Sequence, residues 1–497
     1  MARTFKGKSI RDDPDPIYDA VIIGAGIGGL ISANLLAQAG LKTLLVEQHY
    51  VVGGYCSAFS RKGFHFDAAS HFYPLLGNPD SMTGKLLKDL KIPTEWVKMD
   101  PVDHFNFPDG TRYSVPADYD VYLRELKEMF PEEAKGIDEF FTEVRTLYLL
   151  GLLVYFRGKE TSRLDPYKDQ SLRQALDLYF KSEKLKLLLT ADCPHWGSPP
   201  QRISYVFDSM LRLSYFLGNY YPKGGSQSFS DALATRFQEA GGHVFLRSNV
   251  TRIRARKDSV EGIEMEVGPN NKRRRCVVNS PIVISNADLI QTAGRLLGEE
   301  VVGQDYIDSL KSFRNSYPCY LMHIGLKNTG AEEIDHAQGY HWRHWDPETF
   351  GTSSLKFKFF CPTMFDSDMA PEGGQTVIIQ KAMQVDYDSV EDWQLHKEEV
   401  DKMVLENLEN MIPNFSDRVV VRLSASAKTS YNYTLNQSGS MLGWEMAPDQ
   451  LGSDRPGIEG PLDGLYYTGH WTRPGGGITP VITSAMSVAE AITKMPA

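Results

Sequence analysis

Apolar runs and glycine clusters divide the chain into segments of distinct period. Ala20 to Ile23 is a short apolar run, and Gly24, Gly26, Gly28 and Gly29 follow it. An apolar segment then continues to about Ala39, Gly40 turns the chain, and a second run, Thr43 to Val46, ends at Glu47. This order predicts strand, glycine turn, helix, strand and acid. Aromatic residues flank turns at Lys62-Gly63 and at Pro108-Asp109-Gly110, so each stretch predicts a hairpin. From Asp118 to about Leu217 the spacing turns helical, with helices predicted over Tyr119 to Phe130, Gly136 to Phe156 and Leu172 to Leu189. Pro222, Gly224 and Gly225 make a turn before a helix predicted from Asp231 to Ala240. Strands follow from His243 to Leu246, from about Val250, from Val260 to Val267, and from Val277 into Ser285-Asn286-Ala287-Asp288. Asn270-Asn271 mark a hairpin turn beside the basic run Lys272 to Arg275, which reads as a solvated tip. Residues 313–440 read as mixed strands and loops, with SSLKFKFF at 353–360 a strand. Near the end come a strand from Leu465 to Thr468, the glycine loop Gly475 to Gly477, and a helix that Thr479 caps with Pro480 at its first position.

Composition narrows this only in part. A chain of 497 residues is too long for one core and predicts two or three domains. The net charge of −10 argues against nucleic acid as a partner and against docking on anionic lipid by charge alone. Cys56, Cys193, Cys276, Cys319 and Cys361 are scattered and form no CxxC pair, so they read as reduced thiols. His341 and His344, three apart, have no third ligand nearby, and no metal is expected. The first 17 residues are charged and lack the apolar stretch of a secretory signal, and read as a flexible leader. The longest apolar run, Leu147 to Phe156, has ten residues, against about 20 for a membrane span.

The glycine cluster carries chemistry. Gly24 permits a tight exit from the first strand, Gly26 leaves room for a pyrophosphate at the backbone, and Gly29 lets the helix pack on the sheet. The helix N-terminus offers free N–H groups to phosphate, and Glu47, 18 residues past Gly29, is placed to accept from ribose hydroxyls. A dinucleotide is expected here, with NAD and FAD both compatible with this unit alone.

With Gly53 and Gly54 added, the stretch resembles the two-dinucleotide-fold flavoproteins, which include amine oxidases and phytoene desaturases, and this resemblance implies FAD. PKGG at 222–225 with its following helix, the SNAD strand end, and GHWTRPGGGITP at 469–480 extend the likeness to the carotenoid desaturase and isomerase family of FAD proteins, from about Tyr18 onward. That family includes phytoene desaturases, carotenoid cis–trans isomerases and retinol saturases. Glu47-Gln48-His49 and Ser70-His71 look closer to the retinol saturase branch. The chain departs from many relatives at His470, where an acid or small residue is usual.

The resemblance implies an α/β fold: a Rossmann-type FAD domain from 18–98, 221–312 and 441–497, with an inserted α+β substrate domain from 99–220 and 313–440 that faces a membrane. Implied FAD contacts are Gly24, Gly26, Ile27, Gly28, Gly29, Glu47, Gln48, Gly53, Gly54, Val250, Gly469, His470, Gly477, Ile478 and Thr479. His71 and His470 are candidates for a catalytic base; an ordinary hydrogen-bonded histidine is the competing reading of His71. The implied activity is on carbon–carbon double bonds of a carotenoid or related isoprenoid, by desaturation, saturation or cis–trans isomerisation. An amine oxidase, with Trp471 in an aromatic cage, and a non-catalytic FAD- or carotenoid-binding protein remain open. The apolar helical block at 118–217 reads as a tunnel wall, a membrane-dipping patch or a plain core. An apolar substrate implies peripheral membrane association on the cytoplasmic side. No motif identifies an electron acceptor.

Overall fold

The computed structural model describes residues 5, 7, 12–268, 273–345 and 355–494. Its first layer is a five-stranded parallel sheet in the order Leu465–Tyr467, Val283–Ser285, Ala20–Ile23 (β1), Thr43–Val46 (β2) and His243–Phe245. All four residues of β1 and of β2 are buried, as a sheet covered on both faces requires. The helix after β1, Ile27–Gln38 (α1), is buried nearly all round and packs between the helices Gly225–Glu239 and Ile478–Thr493. Asn34 is tolerated there because its amide donates to Leu30 O and Leu233 O. Phe5 reaches this layer, buried and with its N–H on Asp231, and Ile17 bridges to Asn279.

A seven-stranded mixed sheet forms the second layer. Its order is Val419–Ala425, Cys319–Lys327, Gly374–Ala382, Leu355–Phe360, Gly339–Trp342, Asp103–Asn106 and Arg112–Val115. One face packs on the helices of residues 119–216 in a continuous aromatic and leucine core. The other carries Met322, Ile324, Phe357 and Phe359 against a helix at Trp393–Met411.

Both hairpins form, as Ala58–Arg61 with Phe64–Asp67 and as Asp103–Asn106 with Arg112–Val115. Several expected boundaries move for identifiable reasons. Leu172 to Leu189 is two helices, Leu172–Tyr179 and Glu183–Thr190, because Phe180 is extended and Ser182 caps the second. The helix expected to Phe156 is regular over Ala134–Gly151 and ends in a widened turn, Leu152–Phe156, held by Arg157 N to Leu152 O. The strand expected from Val277 breaks at Ser280-Pro281 into Arg274–Asn279 and Val283–Ser285, which join different sheets; proline has no N–H for the ladder. The helix expected from Asp231 starts at Gly225, because Gly224, at φ 82°, turns the chain directly into it. Thr479 does not cap the last helix: Gly477 occupies the cap position, and the Thr479 hydroxyl donates to Pro74 O instead. The long helix Trp393–Met411 lies where strands and loops were expected. Its signals were Asp392 at the cap and Val400, Val404 and Leu408 at fourfold spacing. His341 is a strand residue bonded through Nε2 to Ala337 O. Asn270, Asn271, Lys272 and residues 353 and 354 lie outside the described residues; Arg273 and Arg274 contact Glu266 and Asp13.

Candidate active site

Gly24 leaves β1 at φ 94°, the left-handed region that glycine enters freely, and its N–H bonds Val46 O at 2.8 Å. A Cβ on Gly29 would sit 2.0 Å from Gly24 O, so this glycine is required for the turn and helix to close at all. Gly26 is the cap residue of α1. It has no side-chain cap, and the first turn carries no acid, which leaves the positive helix end open to an anion. Glu47, at the end of β2, accepts from Ala25 N–H and from His49 N–H, each at 2.8 Å. Burial pushes its carboxyl up, and these N–H groups oppose that shift. Gly53, at φ 112°, donates to Ala25 O and ties the following loop to the glycine turn.

Asn286 is a component that its strand-end position alone did not reveal. Its amide lies among three glycines, 2.9 Å from a Cβ on Gly26, 2.5 Å from one on Gly28 and 2.7 Å from one on Gly469. Gly469, at φ 100°, is fixed by Ser484 Oγ accepting from its N–H. The N-terminal glycine turn, the SNAD strand end and the C-terminal strand thus meet at one point.

That point opens into a cavity of about 630 Å³. Gly24, Gly26, Ile27, Gly28, Glu47, Gln48, Gly53, Gly54 and Val250 line its outer arm, with Gly469, His470, Gly477, Ile478 and Thr479 along one side. Gly29 acts behind the wall. The inner arm is lined by Tyr148, Leu152, Phe156, Trp196, Phe207 and Leu211 among others, so helices of residues 119–216 do build a tunnel wall.

His71 lies in the inner wall but is sealed, with Nδ1 3.2 Å from Ala69 O and from Gln380 Nε2, and Nε2 unpartnered. His195, which drew no attention as sequence, keeps part of its surface accessible to the cavity, as does His470. Burial holds the His71 ring well below the usual imidazole range, with the Lys358 cation adding to the shift. It lowers His195 to about 3, again with Lys358, and His470 to about 3, with Arg455. Lys358 itself is 2% exposed and paired with Asp103 at 2.7 Å, its ammonium 3.8 Å from the Phe72 ring centre. Trp471 is fully buried, donates from its indole to Asn436, and packs on Trp444 away from the cavity, so it builds no amine cage.

These histidines set a pH dependence. His195 and His470 near 3, and His323 and His341 near 4, stay neutral when folded and gain a proton near 6.5 when unfolded. At these histidines the unfolded chain therefore binds more protons below that value, and their share of the stability falls as pH drops from about 6.5 toward 4. Buried carboxyls oppose this: Asp288 and Asp192, each raised to about 6 by burial, and Glu47, Asp67, Asp208, Asp231 and Glu445, raised by burial too, contribute stability that is lost as pH rises through their folded values. The histidine share is read by substitution: denaturant midpoints of His341→Phe are expected to rise at pH 5 relative to pH 7.5 when compared with the native protein.

A glycine crevice at a parallel-sheet edge, closed by a second glycine strand and continuous with an apolar arm, defines a nucleotide-dependent oxidoreductase of the flavoprotein class. Residues 27–493 match the family described as flavin containing amine oxidoreductase, and the chain belongs to that family. FAD is its cofactor, and the open helix end, Glu47 and the side-chain-free approach at Gly26 fit that group. The chain is 27% identical to prolycopene isomerase 1, chloroplastic, of an Oncidium hybrid cultivar, over 96% of this chain and 84% of that protein. It is 31% identical to all-trans-retinol 13,14-reductase of Danio rerio, over 63% and 55%. It is 24% identical to a neurosporene-forming phytoene desaturase of Rhodobacter capsulatus, over 96% and 94%. An oxidoreductase from Methanosarcina mazei shares the fold with a TM-score of 0.62 at 20% identity, covering 95% of this chain and 99% of that one. Putrescine oxidase bound to putrescine does so with 0.67 at 14%, covering 97% and 100%.

Proposed function

We propose that the protein is an FAD-dependent enzyme acting on carbon–carbon double bonds of a carotenoid, retinoid or related isoprenoid. The observation that carries this reading is the single cavity running from the glycine crevice into an arm lined by Leu152, Phe156, Trp196, Phe207 and Leu211. A flexible apolar chain gains from such a wall, whereas a charged amine would lose its hydration there. The prolycopene isomerase, retinol reductase and phytoene desaturase relatives are named for polyenes, and Trp471 lies outside the cavity. Bound FAD supplies the redox chemistry; the chain binds the polyene, orients it and excludes water.

Residues 18–98, 221–312 and 441–497 serve as the FAD domain in this reading, and 99–220 and 313–440 as the substrate domain. The FAD contacts are those named from the sequence, with Asn286 added. His71 and His470 remain the candidate proton acceptors, each keeping its unprotonated form throughout the physiological range. His470 is the better placed of the two, because His71 is sealed. His470→Ala is expected to reduce turnover at full flavin content, and unchanged turnover with flavin retained removes it as the base.

Expression in cells that accumulate different polyenes, followed by analysis of the pigment profile, tests the function itself. A changed double-bond count or geometry in one pigment supports it. Unchanged pigments together with amine-dependent peroxide production overturn it.

An apolar substrate has to reach the inner arm from a membrane. No helix among the described residues is long and apolar enough to cross one. Tyr148 and Leu152 line the cavity, while Leu149 on the same turns is 67% exposed, so this helix end is our candidate for peripheral membrane contact. Leu149→Glu is expected to reduce flotation with neutral phosphatidylcholine vesicles several-fold and to leave flavin content unchanged.

A further inference from the structure

The inner arm is not uniformly apolar. Cys193–Trp196 form a single turn ended by Gly197 at φ 62°, and this turn sets His195 and Trp196 into the cavity wall. Trp196 borders the C-terminal glycine loop, with its ring 3.8 Å from a Cβ on Gly477. His195 packs edge-on against Trp196 at 4.9 Å and against His71 at 5.5 Å, and tilts over Phe72 at 5.3 Å. Three other enclosed histidines hydrogen-bond the backbone: His71 at Ala69 O, His323 at Asp67 O and His341 at Ala337 O. His195 has no hydrogen bond to either ring nitrogen among the described residues, although it lies deep in the protein and lines the cavity. A polar ring placed this way in an apolar arm is costly unless a ligand satisfies it.

We propose that His195 hydrogen-bonds a neutral oxygen of the substrate, so that the preferred polyene is an alcohol or carbonyl compound and not a hydrocarbon. The inference rests on the polyene reading above. Neutral imidazole offers one donor and one acceptor, which matches a hydroxyl on both counts and a carbonyl on one. A carboxylate fits poorly. The neighbouring cation, Lys358, is already committed to Asp103, and Asp192, the residue immediately before Cys193, adds a second carboxyl near Lys358. Burial keeps the His195 ring uncharged, and the Lys358 cation adds to this.

The test uses flavin-loaded protein under argon and follows tryptophan fluorescence during titration with retinol, retinoic acid and axerophthene, the hydrocarbon of the same skeleton. Native protein is expected to bind retinol about 10-fold or more tighter than axerophthene. His195→Phe preserves the aromatic packing and is expected to erase that preference by weakening retinol alone, while His195→Asn restores part of it. Retinoic acid is expected to bind more weakly than retinol. Equal native affinities for retinol and axerophthene overturn the oxygen site and leave the polyene reading standing. Binding of none of these polyenes overturns both. Should His195→Phe fail to fold, the native comparison and His195→Asn still decide.

Discussion

Gly26→Val is expected to yield a folded, soluble and colourless protein. Gly26 has φ −69° and ψ 176°, a conformation open to any residue, and an added Cβ would meet only the Asn286 amide, which can rotate away. The fold therefore tolerates the substitution. The side chain then stands over the N-terminus of α1, where the phosphates must approach the backbone. Overpacking of about 1–3 kcal/mol corresponds to roughly 10- to 100-fold weaker FAD binding. Gly29→Val is the contrasting case: its Cβ would overlap Gly24 O at 2.0 Å, and backbone cannot rotate aside. That variant is expected to lose soluble expression. Flavin absorbance per mole of protein, with circular dichroism of the flavin-free form, separates the two outcomes. A yellow Gly26→Val protein with native flavin content would contradict the placement of the cofactor.

The second large effect is expected at Lys358 and Asp103. The pair is nearly sealed, at 2% and 8% side-chain exposure, and joins two strands of the seven-stranded sheet. Removing one partner leaves the other charge buried and uncompensated. Lys358→Met or Asp103→Asn alone is expected to cost about 3–5 kcal/mol. The double variant removes both charges, and Asp103→Asn retains the oxygen that accepts from His104 N–H. It is expected to recover most of the loss. Denaturant unfolding of all four proteins closes the cycle. If the double variant loses the sum of the single losses, the two side chains are not coupled and the ion pair does not hold this part of the sheet.

How legible such features are in the sequence depends on the range of the interactions that create them. The glycine turn, Gly469 and Gly477 were readable because close approach and positive φ leave a local mark, glycine, and Glu47 because an acid ends the second apolar run. Lys358 was not. In the stretch LKFKFF it alternates with phenylalanines and reads as an outward residue of a half-buried strand. Its partner lies 255 residues earlier, and only sheet pairing and the packed helices turn that face inward. His195 was hidden for a related reason, since a one-turn helix has no period from which its direction could be read. Asn286 was visible as part of a strand end, but its position among three glycines depends on bringing together segments from the start, middle and end of the chain.

The interleaved strand order has a consequence for biogenesis. Leu465–Tyr467 comes last in chain order among the described strands, yet it takes an edge of the sheet whose centre is β1, and Gly469 to Thr479 complete the crevice after it. While the ribosome is still adding these residues, no emerging intermediate offers flavin a finished seat. Cofactor capture thus follows synthesis, and riboflavin starvation would leave full-length polypeptide waiting for its flavin.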